Sequence, residues 1–123
     1  MKEIRAIIRP ARLPKLREAL RALPGFPGLT VIKGEGFSAP GSVEKRTVRE
    51  ELTDFSEKLL VIVIVHDDMV GAVAAGILQT CQTGQLGDGL LWVLPIDAVQ
   101  CIRDGNWLQP MELATTSTIT ETP

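Results

Sequence analysis

Apolar and polar residues alternate from Glu3 to Arg9. Ile4, Ala6 and Ile8 fall on one side; Arg5, Ile7 and Arg9 fall on the other. A period of two predicts a strand with one well-buried face, ended by Pro10. The period then changes: Leu13, Leu16, Leu20 and Leu23 recur at helical spacing, with Lys15, Arg17, Glu18 and Arg21 between them. Pro14 suits a first helical turn, and the run Pro24-Gly25-Phe26-Pro27-Gly28 stops the helix. Leu29 to Ile32 starts a second strand that passes into a glycine-rich stretch over 33–41, and 42–54 is charged without a clear period. Together these predict a long loop, of a length that is usually functional in a small domain. Lys58 to Val65 is a continuous β-branched run, predicted to be a strand buried on both faces. Asp67 and Asp68 are placed to cap a helix over Met69 to Cys81 with a stripe of Val70, Val73, Ala74 and Ile77. A glycine-rich loop follows at 83–89, then a strand over Leu90 to Leu94 closed by Pro95, and a short edge strand over Asp97 to Arg103. Residues 111–123 hold five threonines and read as a floppy tail.

The order is β-α-β-β-α-β, which predicts an α+β domain of the ferredoxin-like type with both helices on one face of an antiparallel sheet. The other face is left open, with Ile7, alternate residues of 59–65 and Trp92 on it. An apolar face of that size needs a partner, and self-association is the default solution.

Size and charge narrow the possibilities. A chain of 123 residues with 45% apolar and 23% charged content is one globular domain. The longest apolar run, 59–65, is far short of the roughly 20 residues that cross a bilayer. The N-terminus lacks the apolar core of a signal peptide, so we expect a cytoplasmic protein with reduced thiols. A net charge of −2 points to neither nucleic acid nor membrane insertion. The charge is nevertheless uneven: residues 1–49 hold eleven Lys/Arg and four Asp/Glu, whereas 50–123 hold two and eleven. Either the first helix is simply a solvated basic face, or a basic rim faces an anion.

The residues also resemble a known family over about 1–105. Met1-Lys2-Glu3-Ile4-Arg5-Ala6-Ile7-Ile8-Arg9-Pro10 and Arg17-Glu18-Ala19-Leu20 are similar to the first strand and helix of PII signalling proteins. Thr30-Val31 with Gly34 and Gly36 resembles the entry to that family's T-loop; Thr53-Asp54-Phe55 and Lys58 resemble its exit. Thr83-Gly84-Gln85-Leu86-Gly87-Asp88-Gly89 matches the family's B-loop signature, and Val93-Leu94-Pro95 follows.

The resemblance implies a domain over 1–110, with a T-loop at about 37–54 and a B-loop at 82–90. It implies a homotrimer that holds adenine nucleotides in clefts between subunits, docks on a protein partner through the T-loop, and is a sensor rather than an enzyme. Carried over residue by residue, the nucleotide would meet Ile7, Thr30, Gly34, Gly36, Phe37, Ile64, Gly87, Asp88, Gly89 and Arg103. A small anion would meet Lys58, Ser38, Ala39 and Gly41. Independently of the resemblance, three glycines let backbone N–H groups approach an anion closely. A carboxylate beside a phosphate is unexpected, so Asp88 is read as capping the loop's own backbone.

The departures from the family pattern shape the expected function. Leu90 stands where the B-loop normally ends in lysine, and Cys101 replaces one of two arginines, leaving Arg103. Ser38-Ala39-Pro40 replaces the stretch with the glutamine that helps place Mg²⁺ and 2-oxoglutarate. A charged hydrogen bond to phosphate contributes ~1.5–3 kcal/mol, so ADP or AMP should bind at least as well as ATP. Glu51 and Arg49 stand where relatives carry modified tyrosine and serine, so both modifications should be absent. The preferred reading is a regulator of a transporter or metabolic assembly, with bicarbonate near Lys58 and a link to inorganic-carbon or carboxysome-associated members. The alternatives are a conventional nitrogen-regulatory sensor of ATP and 2-oxoglutarate, or a structural trimer without ligands. No metal or other cofactor is expected: His66 is the single histidine, and Cys81 and Cys101 lack metal-site spacing. Cys81 reads as packing and Trp92 and Trp107 as core or interface.

Overall fold

The computed structural model describes residues 1–37 and 55–111. Residues 38–54 and 112–123, and with them Ser38, Ala39, Gly41, nearly all of the expected T-loop and nearly all of the tail, lie outside the described residues.

Four strands form one antiparallel sheet: β1 (Lys2–Ile8), β2 (Thr30–Gly36), β3 (Ser56–Val65) and β4 (Leu91–Pro95), in the order β2-β3-β1-β4. Two helices, α1 (Leu13–Arg21) and α2 (Val70–Cys81), each preceded by a short 3₁₀ turn, complete the ferredoxin-like α+β arrangement. The core lies between the helices and one sheet face. Ile4, Ala6 and Ile8 meet Val61, Val63 and Val65 from the sheet, and Leu16, Leu20, Val73 and Ile77 from the helices. The helices approach closely where Gly76 faces Leu20: a Cβ there would stand 3.1 Å from Leu20 Cδ2. Burial of these side chains, roughly 1.5–3 kcal/mol for each large one, is what holds the layers together.

Several expectations are corrected. β3 is buried on one face only: Leu59, Val61, Val63 and Val65 are enclosed, while Ile64 is 37% exposed on the other side. Its unbroken apolar run therefore reports two different environments, the second being the open face. β2 runs four residues further than Ile32, because Lys33 to Gly36 pair with Leu59 to Ser56. Gly34 and Gly36 thus belong to a strand. Asp67 and Asp68 lie in a 3₁₀ turn before α2 and make no side-chain cap. Asp67 instead meets the Met1 amine at 3.2 Å, which holds its carboxyl below the usual range. The expected edge strand over 97–103 is a hairpin, β5 (Val99–Gln100) with β6 (Trp107–Gln109), in a separate two-stranded sheet. Asp104-Gly105, with Gly105 at φ +75°, marks its turn.

Candidate functional site

The glycine-rich loop after α2 is built around one carboxylate. Asp88 Oδ2 accepts the backbone N–H groups of Thr83 at 2.7 Å and Gly84 at 2.9 Å. Asp88 Oδ1 accepts the Thr83 hydroxyl and, at 3.3 Å, Arg9 Nε. These donors, the Thr83 hydroxyl foremost, hold the Asp88 carboxyl far below the usual range. The side chain does what the sequence suggests for it: it caps the loop that carries it.

Three further bonds fix where the loop sits. Arg9 also donates to the Leu86 carbonyl, Lys58 Nζ donates to the Gly87 carbonyl at 3.2 Å, and Ile7 N–H donates to the Leu90 carbonyl at 2.9 Å. Gly84, Gly87 and Gly89 have φ of +80°, +94° and +100°, a region that glycine enters without strain. Gly89 is also sterically required: a Cβ there would stand 1.7 Å from the Ile7 carbonyl oxygen. Beneath the loop is a cavity of about 200 Å³ lined by Ile7, Cys81, Asp88 and Gly89. Cys81 is buried, and burial pushes its thiol up, as befits a packing residue.

A larger cavity, about 580 Å³, opens at the opposite end of the sheet, lined by Thr30, Ile62, Ile64, His66, Met69 and Leu108. The two ends do not meet within one chain. Lys58, at the glycine loop, and Ile64, at the cavity, are six residues apart on one strand, about 20 Å at ~3.3 Å per residue. The residues assigned to nucleotide therefore fall into three groups. Ile7, Gly36, Phe37, Gly87, Asp88 and Gly89 lie toward the loop end, with Gly34 opposite Lys58 on β2. Thr30 and Ile64 lie at the cavity. Arg103 lies on the β5–β6 turn, its side chain 86% exposed and 3.6 Å from Asp104.

Phe37 and Phe55, on either side of 38–54, face one another with ring centroids 5.6 Å apart. Leu90, in the place expected of a cation, is 72% exposed. Among the described residues there is no cluster of three or more His, Cys, Asp or Glu that could hold a metal ion. No helix among them is long and apolar enough to cross a membrane.

Two features escape sequence reading. The loop-bracing role of Arg9 is invisible because its partners are 77 and 79 residues away. Gln109 is the other: its side-chain amide donates to the carbonyls of Ile96 at 2.6 Å and Asp97 at 3.1 Å, and its oxygen accepts from the Met1 amine, tying β6 to the start of β1.

Comparison with known proteins fits this arrangement. The family model for nitrogen regulatory protein P-II matches residues 1–106. The chain belongs to the P-II family. Over 106 residues it is 37% identical to nitrogen regulatory protein P-II of Azospirillum brasilense, covering 85% of this chain and 94% of that one. It is 39% identical, with the same coverage, to nitrogen regulatory protein P-II 1 of Escherichia coli K12 and of Salmonella typhimurium. As a P-II family member it is a signalling protein. The relatives' names weigh toward nitrogen regulation and not toward the inorganic-carbon role preferred from the departures alone.

Proposed function

We propose that this protein is a nitrogen-regulatory P-II sensor that works as a trimer, binds an adenine nucleotide between copies, and acts on a protein partner through residues 37–54. One observation carries the reading. The glycine loop and the Thr30–Ile64 cavity lie at opposite ends of one sheet, so a nucleotide touching both must draw them from different copies. The apolar sheet face opposite the helices supplies the surface on which copies would meet.

The charge at the loop supports a preference for fewer phosphates. Leu90 contributes no cation, and the two cations nearby, Arg9 and Lys58, already donate to Asp88 and to the carbonyls of Leu86 and Gly87. ADP or AMP therefore binds at least as tightly as Mg-ATP. For the second ligand, the relatives' names favour 2-oxoglutarate over bicarbonate, and nothing among the described residues favours bicarbonate. Lys58 is the residue we assign to its carboxylate.

Calorimetry on the full chain tests this. ADP, AMP and Mg-ATP are titrated alone and then with 2-oxoglutarate or bicarbonate at fixed pH and ionic strength. We expect ADP to be no weaker than ATP, and 2-oxoglutarate to shift nucleotide affinity by the five- to 150-fold typical of coupled sites, roughly 1–3 kcal/mol. An ATP advantage of tenfold or more would overturn the nucleotide preference. A shift with bicarbonate alone would return the protein to carbon sensing.

A further inference from the structure

The open sheet face is apolar with one interruption at its middle. β1 runs between β3 and β4, and Glu3 and Arg5 project from it on that side. Glu3 lies opposite Ile64 on β3 and Leu94 on β4; Arg5 lies opposite Ile62 and Trp92. Arg5 Nε stands 3.2 Å from Glu3 Oε2 and Nη2 stands 3.5 Å from Oε1, a two-point contact. The two side chains are already only 38% and 18% exposed in a single copy. Among the described residues on this face the remaining charge is Lys58, at the glycine-loop end.

We propose that the Glu3–Arg5 pair is the self-recognition point of the assembly, and that the occupant of this face is a second copy of the chain. The inference rests on the trimeric reading above. In a trimer closed about a three-fold axis, the residues nearest the axis meet their own copies, whereas the rest of each face meets a different patch; we place the Glu3–Arg5 pair, on the inner strand β1, near that axis. A net charge there would be set against itself. The pair sums to zero, so the face can be covered without like charges confronting one another. Once covered, each charge depends on its neighbour, because removing one partner leaves the other unpaired among Ile62, Ile64, Trp92 and Leu94. Removing both charges leaves a neutral centre with no unpaired ion to bury. The pair thus selects partners more than it strengthens them: chains whose two positions sum to zero are admitted, and chains carrying a single charge are excluded.

The test compares the full-length wild type with Glu3→Gln, Arg5→Met, the double variant and Arg5→Lys. Sedimentation gives the concentration at which each dissociates. Native mass spectrometry of mixtures with isotope-labelled wild type gives the mixing proportions. Each charge-removing single variant is expected to dissociate at a concentration about tenfold higher or more, and to enter mixed assemblies below binomial proportions. The double variant is expected to return to within about threefold of wild type and to mix freely. Arg5→Lys, which keeps the charge, is expected to assemble. Single variants that assemble and mix like wild type would overturn the proposal, as would a double variant no better than the sum of the singles. If a single variant fails to fold by circular dichroism, the double variant and Arg5→Lys decide: poor assembly by both overturns it. A wild-type chain that is monomeric at micromolar concentration overturns the trimeric reading itself, and is distinguished because it is measured before any variant.

Discussion

The glycine loop at 83–89 and the β5–β6 hairpin both carry residues assigned to phosphate, yet they are tied to the sheet in different ways. The loop is braced from within: one carboxylate takes two backbone N–H groups, a hydroxyl and a guanidinium, and Arg9, Lys58 and Ile7 hold it to the sheet. The hairpin has turn bonds of its own, among them Gln100 to the Gly105 carbonyl and Asn106 N–H to Asp104, but it is Gln109, at its base, that ties it to Met1, Ile96 and Asp97, and its Arg103 points into solvent beside Asp104. A loop shaped inside one chain has its geometry before any ligand or second copy arrives. A residue such as Arg103 acquires a role only from what is brought to it. On the trimeric reading proposed above, preorganisation belongs to the loop and completion of the site to assembly.

The sharpest way to break this contrast is Gly89→Ala. The added carbon would collide with the Ile7 carbonyl in a backbone region that alanine enters only under strain. We expect a loss of about 3 kcal/mol in calorimetric unfolding, and loss of nucleotide binding. An unchanged melting temperature would mean that the loop is not pinned to β1.

Next comes Asp88→Asn, which keeps the shape but removes the charge on which four donors converge. Nucleotide affinity should fall by about tenfold as the loop loosens. The pH signature follows from the depressed carboxyl. Its contribution to stability is complete above the unfolded value of about 3.9 and disappears as pH falls through the lower folded value. The stability gap between wild type and Asp88→Asn should be flat from neutral pH to about 4 and shrink only below that. Carbon-13 titration should find Asp88 still ionised at pH 3, and protonation in the ordinary range would contradict the bracing described.

The hairpin gives the smaller effects. Gln109→Leu removes its donors to Ile96 and Asp97 and should cost about 1 kcal/mol, seen as faster hydrogen exchange over 99–109. Arg103→Ala should leave stability within about 0.5 kcal/mol while ADP affinity falls about tenfold. Equal loss of stability from Arg103→Ala and Asp88→Asn would erase the distinction between the two regions.

The same distinction decides what the sequence makes legible. The element order, the apolar stripes of α1 and α2 and the open face follow from periodicity, because each depends on neighbours a few residues apart. The inward use of Asp88 is legible because its main partners, Thr83 and Gly84, lie within five residues. β2 is misjudged at Gly34 and Gly36 because pairing with β3 overrides the local preference of glycine for loops. β3 is misjudged as doubly buried because the face that is open in the single chain has the same apolar composition as a core. Arg9, Gln109 and the separation of Thr30 and Ile64 from the glycine loop depend on contacts far apart in sequence, which no local pattern carries.

The junction between Leu90 and Ile7 bears on how such a protein can change over generations. The sheet uses the main chain of residue 90, through its carbonyl, and leaves the side chain out in water. One position earlier, no side chain can be accommodated at all. Divergence is thus channelled: residue 89 is locked by architecture, whereas residue 90 can be exchanged, lysine for leucine or the reverse, with the strand pairing untouched. The charge displayed beside the loop can drift by single substitutions on a fixed frame, so a lineage could change it without first having to refold.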